Sequence, residues 1–204
     1  MKTVVVGGHS RNIGKTSVMA ELIRSMKSLQ WTAVKITQYG HGICSHDGHS
    51  CGCAPTEHPF ALSEERNAAG RSDTCRFLQA GARRSLWLRV RQGQLAEAMP
   101  LLERALAGDE CVMIESNSIL QYMEPSVYLA VLDSRQADFK PSALKFLGRA
   151  DALVPIASGR RFYANAWPAL DHSLLKSKKH FPVTASDYSS PKLCQFVRQK
   201  LNAA

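Results

Sequence analysis

The feature that most constrains the fold of this chain is a glycine-rich loop between an apolar run and a helical pattern. Residues 2–6, KTVVV, form a β-branched run that is typical of a strand buried in a parallel sheet. From Thr16 to Leu29, apolar residues recur at helical spacing. The segment between them, GGHSRNIGKTS at residues 7–17, ends in Gly-Lys-Thr-Ser. The sequence therefore predicts a strand, a glycine-rich loop and a helix in direct succession.

Such a loop has a known chemistry. Its backbone N–H groups and the N-terminus of the following helix point at a phosphate chain, as in the phosphate-binding loop, or P-loop. Lys15 is expected to reach the β- and γ-phosphates and Thr16 to hold Mg²⁺. Between Gly8 and Gly14 this loop has one residue more than the usual motif. The predicted nucleotide-binding residues are Gly8, His9, Ser10, Arg11, Asn12, Ile13, Gly14, Lys15, Thr16 and Ser17.

The rest of the chain alternates apolar strands with helical patterns. Further strands are predicted at residues 32–36, 86–90, 111–115, 127–132 and 152–156, and helices at 94–106, 142–149 and 190–202. This alternation predicts an α/β fold of three layers, a mostly parallel sheet flanked by helices, as in P-loop NTPases. We expect residues 1–204 to form a single nucleotide-binding domain with a Cys/His-rich insertion at about residues 40–70.

Two resemblances indicate which groups of P-loop proteins this chain is similar to. The loop length, together with Lys35, Gln38 and Gly40 after the second strand, resembles dethiobiotin synthetases. The stretch from Arg71 to Arg76, RSDTCR, followed by Ala-Gly-Ala at residues 80–82, is similar to an element of the molybdopterin-guanine dinucleotide biosynthesis protein B family. That family also has a lysine in the position of Lys35. Together the similarities span roughly residues 2–120, with long gaps.

Acidic residues for a metal-bound phosphate follow the strands. Glu115 ends an apolar strand, and Mg²⁺ bound to phosphates needs such a group. Asp73 is the second candidate ligand, with an N-cap role as the alternative. The predicted Mg²⁺ ligands are thus Thr16, Asp73 and Glu115, and the predicted catalytic residues are Lys15, Lys35 and Glu115. A solvated strand end is the alternative interpretation for Lys35 and Glu115.

The insertion is rich in thiolate and imidazole side chains, which are the ligands of Zn²⁺ and iron–sulfur sites. We predict a metal held by Cys44, Cys51 and Cys53 with one histidine, His41. The alternative is a loop that binds no metal. Cys75, Cys111 and Cys194 lie in apolar patterns and are expected to be buried.

Charge and hydropathy restrict the partners. The net charge of +9 suits polyanionic ligands such as nucleotides, a phosphorylated cofactor or nucleic acid. No RNA-binding signature or zinc-finger spacing accompanies the charge, which disfavours nucleic acid. No signal-peptide core or long apolar segment is present, so a cytoplasmic protein without membrane association is expected.

The resemblance to the protein B family implies a GTP-binding, weakly hydrolysing accessory protein in molybdenum cofactor biosynthesis. Its partners would be molybdopterin and a biosynthetic enzyme, and the related proteins suggest a homodimer. The chain contains no Asn-Lys-x-Asp guanine signature, and residues 138–140 are a candidate contact for the base. One alternative is an ATP-dependent kinase or ligase that holds a small acid near Lys35 and Gln38. The other is a metal-binding NTPase that uses the Cys/His insertion.

Overall fold

The computed structural model describes residues 1–40, 59–157, 167, 170 and 172–203. Strand β1 spans Lys2–Gly8, and helix α1 spans Lys15–Ser25, so the predicted strand, loop and helix are all present. The other elements, in chain order, are β2 (Thr32–Tyr39), β3 (Phe60–Glu64), α2 (Asp73–Ala80), β4 (Arg84–Arg91), α3 (Leu95–Leu106), β5 (Cys111–Glu115), β6 (Val127–Leu132), α4 (Pro141–Leu147), β7 (Ala152–Ala157), α5 (His172–Lys176), β8 (Lys179–His180), β9 (Val183–Thr184) and α6 (Pro191–Ala203).

The strands of the described residues form one central sheet. Its order is β3-β4-β2-β5-β1-β6-β7-β8, and β9 also pairs with β7. All pairings are parallel except that between β3 and β4. The predicted α/β fold with a mostly parallel sheet is confirmed.

Side-chain alternation along the strands divides the core into two layers. In β1, Val4 and Val6 pack with apolar residues of α1, α2 and α6 on one face of the sheet. Val5 packs with residues of α3 and α4 on the other face. Because successive residues of a strand point to opposite faces, a continuous valine run fills both layers. Helices therefore cover both faces of the sheet.

Strand β3 was not predicted. The stretch at about residues 40–70 was predicted as a Cys/His-rich insertion without a strand, yet Phe60–Glu64 forms β3 at the edge of the sheet. An edge strand has one neighbour and stays half exposed, so its sequence lacks a long apolar run. The short elements α5, β8 and β9 were likewise missed. Cys75 and Cys111 are buried as predicted, whereas Cys194 is only partly buried.

The topology brings functional residues to one edge. β1, β2 and β5 are neighbours, and they end at this edge in Gly8, Tyr39 and Glu115. Ligands of open α/β sheets bind beyond the carboxyl ends of the strands. Among the described residues, no helix combines the length and apolarity needed to cross a membrane.

Candidate phosphate-binding site

The glycine-rich loop follows β1 and leads into the first turn of α1. Gly14, the N-cap of α1, has a φ of 88°, in the left-handed region that favours glycine. A Cβ on Gly14 would also lie 2.8 Å from Cε1 of Tyr188. A Cβ on Gly8 would lie 2.8 Å from Cδ1 of Ile13 and 2.9 Å from Cδ of Lys15. A side chain at either position would therefore clash with these neighbouring atoms.

The Lys15 side chain folds back over the loop. Its Nζ donates a hydrogen bond to the backbone carbonyl of Ser10 at 2.6 Å. Burial lowers the pKa of Lys15 to about 8, against the favourable field of Glu115, and the nearby Lys140 and Lys35 lower it further. A partly buried cation whose partner is a neutral carbonyl is well suited to bind phosphate oxygens.

Glu115 lies beside the loop as predicted. It is 3% exposed, and its Oε2 accepts a 2.8 Å hydrogen bond from Oγ1 of Thr16. Its Oε1 lies 2.5 Å from Nζ of Lys35. β2 and β5 are parallel neighbours in which Lys35 pairs with Glu115, so the register itself creates this contact. Glu115 is therefore a buried carboxylate that links the P-loop helix to β2, and the alternative of a solvated strand end is wrong.

Asp73 of α2 also contacts Lys35, so it joins the group formed by Thr16, Lys35 and Glu115. It is the first residue of α2, and its Oδ2 lies 2.8 Å from Nζ of Lys35. Burial opposes its ionisation, but the ammonium of Lys35 holds the pKa of Asp73 below the ordinary value. Conversely, desolvation is outweighed by Glu115 and Asp73, which raise the pKa of Lys35. The N-cap of α2 is Ser72, whose hydroxyl accepts from the backbone N–H of Cys75, so the N-cap interpretation of Asp73 is wrong.

The donor set of this group suits Mg²⁺. A hydroxyl from Thr16 and carboxylates from Glu115 and Asp73 are the hard oxygen ligands that this ion prefers. In the described part of the chain, no group of three or more His, Cys, Asp or Glu residues is arranged to hold a metal. A magnesium ion here would thus depend on phosphate oxygens for part of its coordination, as is usual for nucleotide sites. The residues present fit that requirement.

Comparison with known proteins gives the fold. No protein family matches the sequence, and no curated protein matches it. The structure of HypB from Helicobacter pylori in complex with nickel is similar, with a TM-score of 0.50 and 14% identity, over 98% of this chain and 87% of that chain. The hydrogenase maturation factor HypB from Archaeoglobus fulgidus gives a TM-score of 0.52 and 13% identity, over 98% and 91%. Both matches are P-loop NTPases, and at such identities they show the fold alone.

This chain has the P-loop NTPase fold. Neither match belongs to the molybdopterin-guanine dinucleotide biosynthesis protein B family, so that resemblance stays a prediction. Residues 8–17, the predicted P-loop, follow β1 and lead into α1, which is where proteins of this fold bind phosphate.

Asn117 supports the P-loop and was not predicted. Its Oδ1 accepts from the backbone N–H of Gly8 at 2.9 Å, and its Nδ2 donates to the carbonyl of Gly8 at 2.8 Å. The amide thus satisfies both backbone groups of Gly8 where β1 ends. No local pattern in the sequence singled out Asn117, because its contact with Gly8 joins residues 109 positions apart.

His9 is a second residue that supports the P-loop. It was predicted to lie in the loop, but no specific contact was predicted for it. Its side chain is buried, and its Nε2 accepts from the backbone N–H of Asp133 at 3.0 Å. The proton therefore resides on Nδ1, which lies 2.7 Å from the carbonyl oxygen of Asp138. Burial lowers the pKa of His9 although these backbone contacts oppose the shift. His9 is a neutral link between the P-loop and the segment after β6.

The candidate base contact at residues 138–140 packs against the P-loop. Oδ2 of Asp138 accepts from the hydroxyl of Ser10 at 2.8 Å, and the Phe139 ring lies 5.0 Å from that of His9. The backbone N–H of Lys140 donates to the carbonyl of His9 at 2.8 Å. These contacts give the segment a structural role, and contact with a base stays a prediction.

The remaining predicted loop residues differ in exposure. Ile13 is buried in the core, Arg11 is partly buried and Asn12 is exposed with a φ of 53°. The hydroxyl of Ser17 accepts from Nη2 of Arg76 at 2.8 Å. The predicted transition-metal ligands His41, Cys44, Cys51 and Cys53 lie outside the described residues, and their prediction stands untested.

Proposed function

We propose that this protein binds a nucleoside triphosphate with Mg²⁺ and hydrolyses it slowly. The observation that carries the proposal is the contact of Thr16, Lys35 and Glu115 at the start of α1, beside a P-loop lysine. Two strands and two helices contribute side chains to this one cluster, which has the donors and charges that a terminal phosphoryl group requires.

Lys15 and Lys35 have different roles in this proposal. The carbonyl of Ser10 holds the Lys15 ammonium in the loop, and a phosphate oxygen would replace that neutral partner. Lys35 is fixed between Glu115 and Asp73, so its charge is positioned before any ligand binds. Together they would neutralise the charge that develops as the terminal phosphoryl group leaves.

Thr16, Glu115 and Asp73 would hold the magnesium ion. When bound, the ion supplies positive charge that stabilises the phosphate oxygens and orients the phosphate chain. Glu115 orients the Thr16 hydroxyl through their hydrogen bond, which keeps this ligand at the start of α1. None of the described residues in the cluster is an evident general base, which is consistent with slow hydrolysis.

Nucleotide titrations test this proposal. Fluorescent GTP and ATP analogues are titrated with and without Mg²⁺ into the wild type and Lys15→Ala, and phosphate release is measured separately. We expect Mg²⁺-dependent binding that Lys15→Ala weakens by about tenfold or more, since a hydrogen bond to a charged group is worth ~1.5–3 kcal/mol. Equal affinity of the two proteins, or no binding of either analogue, would contradict the proposal.

The finer proposal is a GTP-binding accessory protein in molybdenum cofactor biosynthesis. It is supported by the Arg71–Arg76 similarity, whose Asp73 contributes to the cluster, and by Lys35, which has a counterpart in that family. Molybdopterin and a biosynthetic enzyme would be the partners, and the protein is proposed to be a homodimer. A thermal-shift panel tests this, because a ligand that binds only the native state raises the melting temperature. Stabilisation by ATP but not by GTP, without any response to molybdopterin, would exclude it.

The kinase alternative loses part of its support. Lys35 and Gln38 are three positions apart in β2, so they project from opposite faces of the strand. One small acid at the phosphate site therefore does not reach both side chains. Lys35 stays in contact with the proposed phosphate site, whereas Gln38 belongs to the other face.

A second candidate function is a metal-binding NTPase. Its basis is the set His41, Cys44, Cys51 and Cys53, and one structurally similar protein is a HypB in complex with nickel. Elemental analysis of protein purified without a metal-affinity tag tests it, with Cys51→Ser as the matched variant. Zinc, iron or nickel near one equivalent in the wild type and lost in the variant is expected; its absence from the wild type would exclude this function.

A further inference from the structure

The side chains of Thr16, Lys35, Asp73 and Glu115 form a group that we call the phosphate cluster. Strands β2 and β4 extend beyond it. Lys35 of β2 pairs with Glu115, the last residue of β5, and on its other side with Trp87 of β4. Beyond that position β2 continues to Tyr39 and β4 to Arg91. The paired ends of the two strands, which we call the wall, therefore extend past the site proposed for the terminal phosphate.

One face of this wall carries polar and aromatic side chains. In β4, Leu88 packs in the core layer formed with α3. Because side chains alternate along a strand, Trp87 and Arg89 project from the opposite face. That is also the face of Lys35 and Thr37, their partners in the register of β2. The face thus connects the phosphate cluster with Arg89.

Trp87 and Arg89 form a fixed pair on this face. Nε1 of Trp87 donates to Oγ1 of Thr37 at 2.9 Å, which orients the indole. The guanidinium carbon of Arg89 lies 4.8 Å from the centroid of the Trp87 ring. Stacking covers one plane of the guanidinium and reduces its freedom, while its in-plane N–H groups keep their binding capacity.

The charge of Arg89 has no acidic partner among the described residues. Its Nε is buried and makes no hydrogen bond within the described part of the structure. In contrast, Arg84 of the same strand pairs with Glu64 and Asp109. A buried donor without a partner costs free energy, and such exceptions call for an explanation. An anionic ligand at the guanidinium would supply the negative charge that no described residue provides.

We propose that Arg89, stacked on Trp87, binds the carboxylate or phosphate group of a second, small ligand. Adjacent same-face positions of a strand are ~6.6 Å apart, so a ligand held by Arg89 would extend toward Lys35 and the terminal phosphate. The ligand class is a small anionic metabolite that binds next to the nucleotide. This inference rests on the proposed function, because the nucleotide defines the other end of the site.

Anion titrations of the nucleotide-loaded protein test the proposal. ADP and Mg²⁺ saturate the P-loop, and succinate or glycerol phosphate is then added at constant ionic strength. The Arg89 Nε–H resonance and the melting temperature report binding. We expect at least one of the two anions to shift both, and Arg89→Gln to weaken its affinity about tenfold or more while nucleotide affinity is unchanged. Succinate distinguishes carboxylate recognition from the phosphate recognition reported by glycerol phosphate.

Arg91→Gln is the matched control, since Arg91 is the next same-face residue of β4 and is exposed. Equal weakening by both variants would indicate a general charge effect and would overturn the proposal, as would the absence of binding by both anions. Should Arg89→Gln fail to fold, Arg89→Lys keeps the charge but loses the planar fork, and an unchanged anion affinity in it would count against the site. If the wild type does not bind nucleotide, the proposed function is refuted instead.

Discussion

Lys35 and Glu115 are register partners on adjacent parallel strands, and their side chains form an ion pair with Nζ 2.5 Å from Oε1. The same carboxylate accepts the Thr16 hydroxyl, so it connects β2, β5 and the P-loop helix. The Lys35 side chain is 16% exposed and that of Glu115 3%, which places the pair largely out of water. The Lys35–Glu115 ion pair therefore contributes to the stability of the site and determines its net charge.

Lys35→Met is expected to destabilise the protein by about 3 kcal/mol, because it leaves a buried carboxylate without its cation. The double variant Lys35→Met/Glu115→Gln should be more stable than Lys35→Met alone, since it also removes the orphaned charge. Urea denaturation at pH 7 measures both free energies of unfolding. A double variant less stable than Lys35→Met would show that the unpaired charge of Glu115 does not cause the loss.

Nucleotide binding should take up protons near pH 8. Lys15 has a pKa of about 8 in the free protein, and a phosphate would raise it by stabilising the charged form. We expect an uptake of about half a proton at pH 8 and less at pH 6.5, where Lys15 is already charged. Titration calorimetry in two buffers of different ionisation enthalpy measures this uptake. The same value at both pH values would contradict the assignment.

Asn117→Ala should weaken both the fold and the site. It removes two hydrogen bonds to the backbone of Gly8, each worth ~0.5–1.5 kcal/mol, so a loss of about 1–3 kcal/mol is expected. Nucleotide affinity should fall as well, because the start of the P-loop loses its support. Asn117→Asp keeps the acceptor and loses the donor, and it should lie between wild type and Asn117→Ala. Chemical denaturation and nucleotide titration provide the two readouts.

His9 should make the protein sensitive to acid. Its pKa in the folded state is lowered from 6.5 by burial, so below that pH the unfolded chain binds a proton that the native state resists. Stability is therefore lost as the pH falls below about 6.5. His9→Asn keeps a donor for the Asp138 carbonyl and does not titrate, so it should show a smaller loss between pH 7 and pH 5 in urea denaturation. Equal losses in both proteins would assign the acid sensitivity to other groups.

Most of the layer architecture was predictable. Residues 2–6 and 111–115 are continuous apolar runs, and such runs occur in strands that are buried on both faces. The helix periodicity after Thr16 located α1. In contrast, β3 pairs with a single neighbour and none of its residues is fully buried, so its pattern was too weak to predict.

The members of the candidate site were proposed from the sequence, whereas the contacts between them come from the structure alone. The sequence identified Lys15, Thr16, Lys35, Asp73 and Glu115 from their positions at the ends of strands and the starts of helices. The contacts of Glu115 and Asp73 with Lys35 depend on the register of β2 against β5 and on the docking of α2, which no local pattern records.

The sequence by itself determined the strand, loop and helix of the P-loop, because apolar period and glycine conformation are local properties of the chain. Only the tertiary structure decided that Asn117 would hold Gly8 and that Glu115 would join Lys35 to Thr16. These contacts connect residues 80 to 109 positions apart. Side chains at such separations meet through strand order and register, which depend on the packing of the whole sheet.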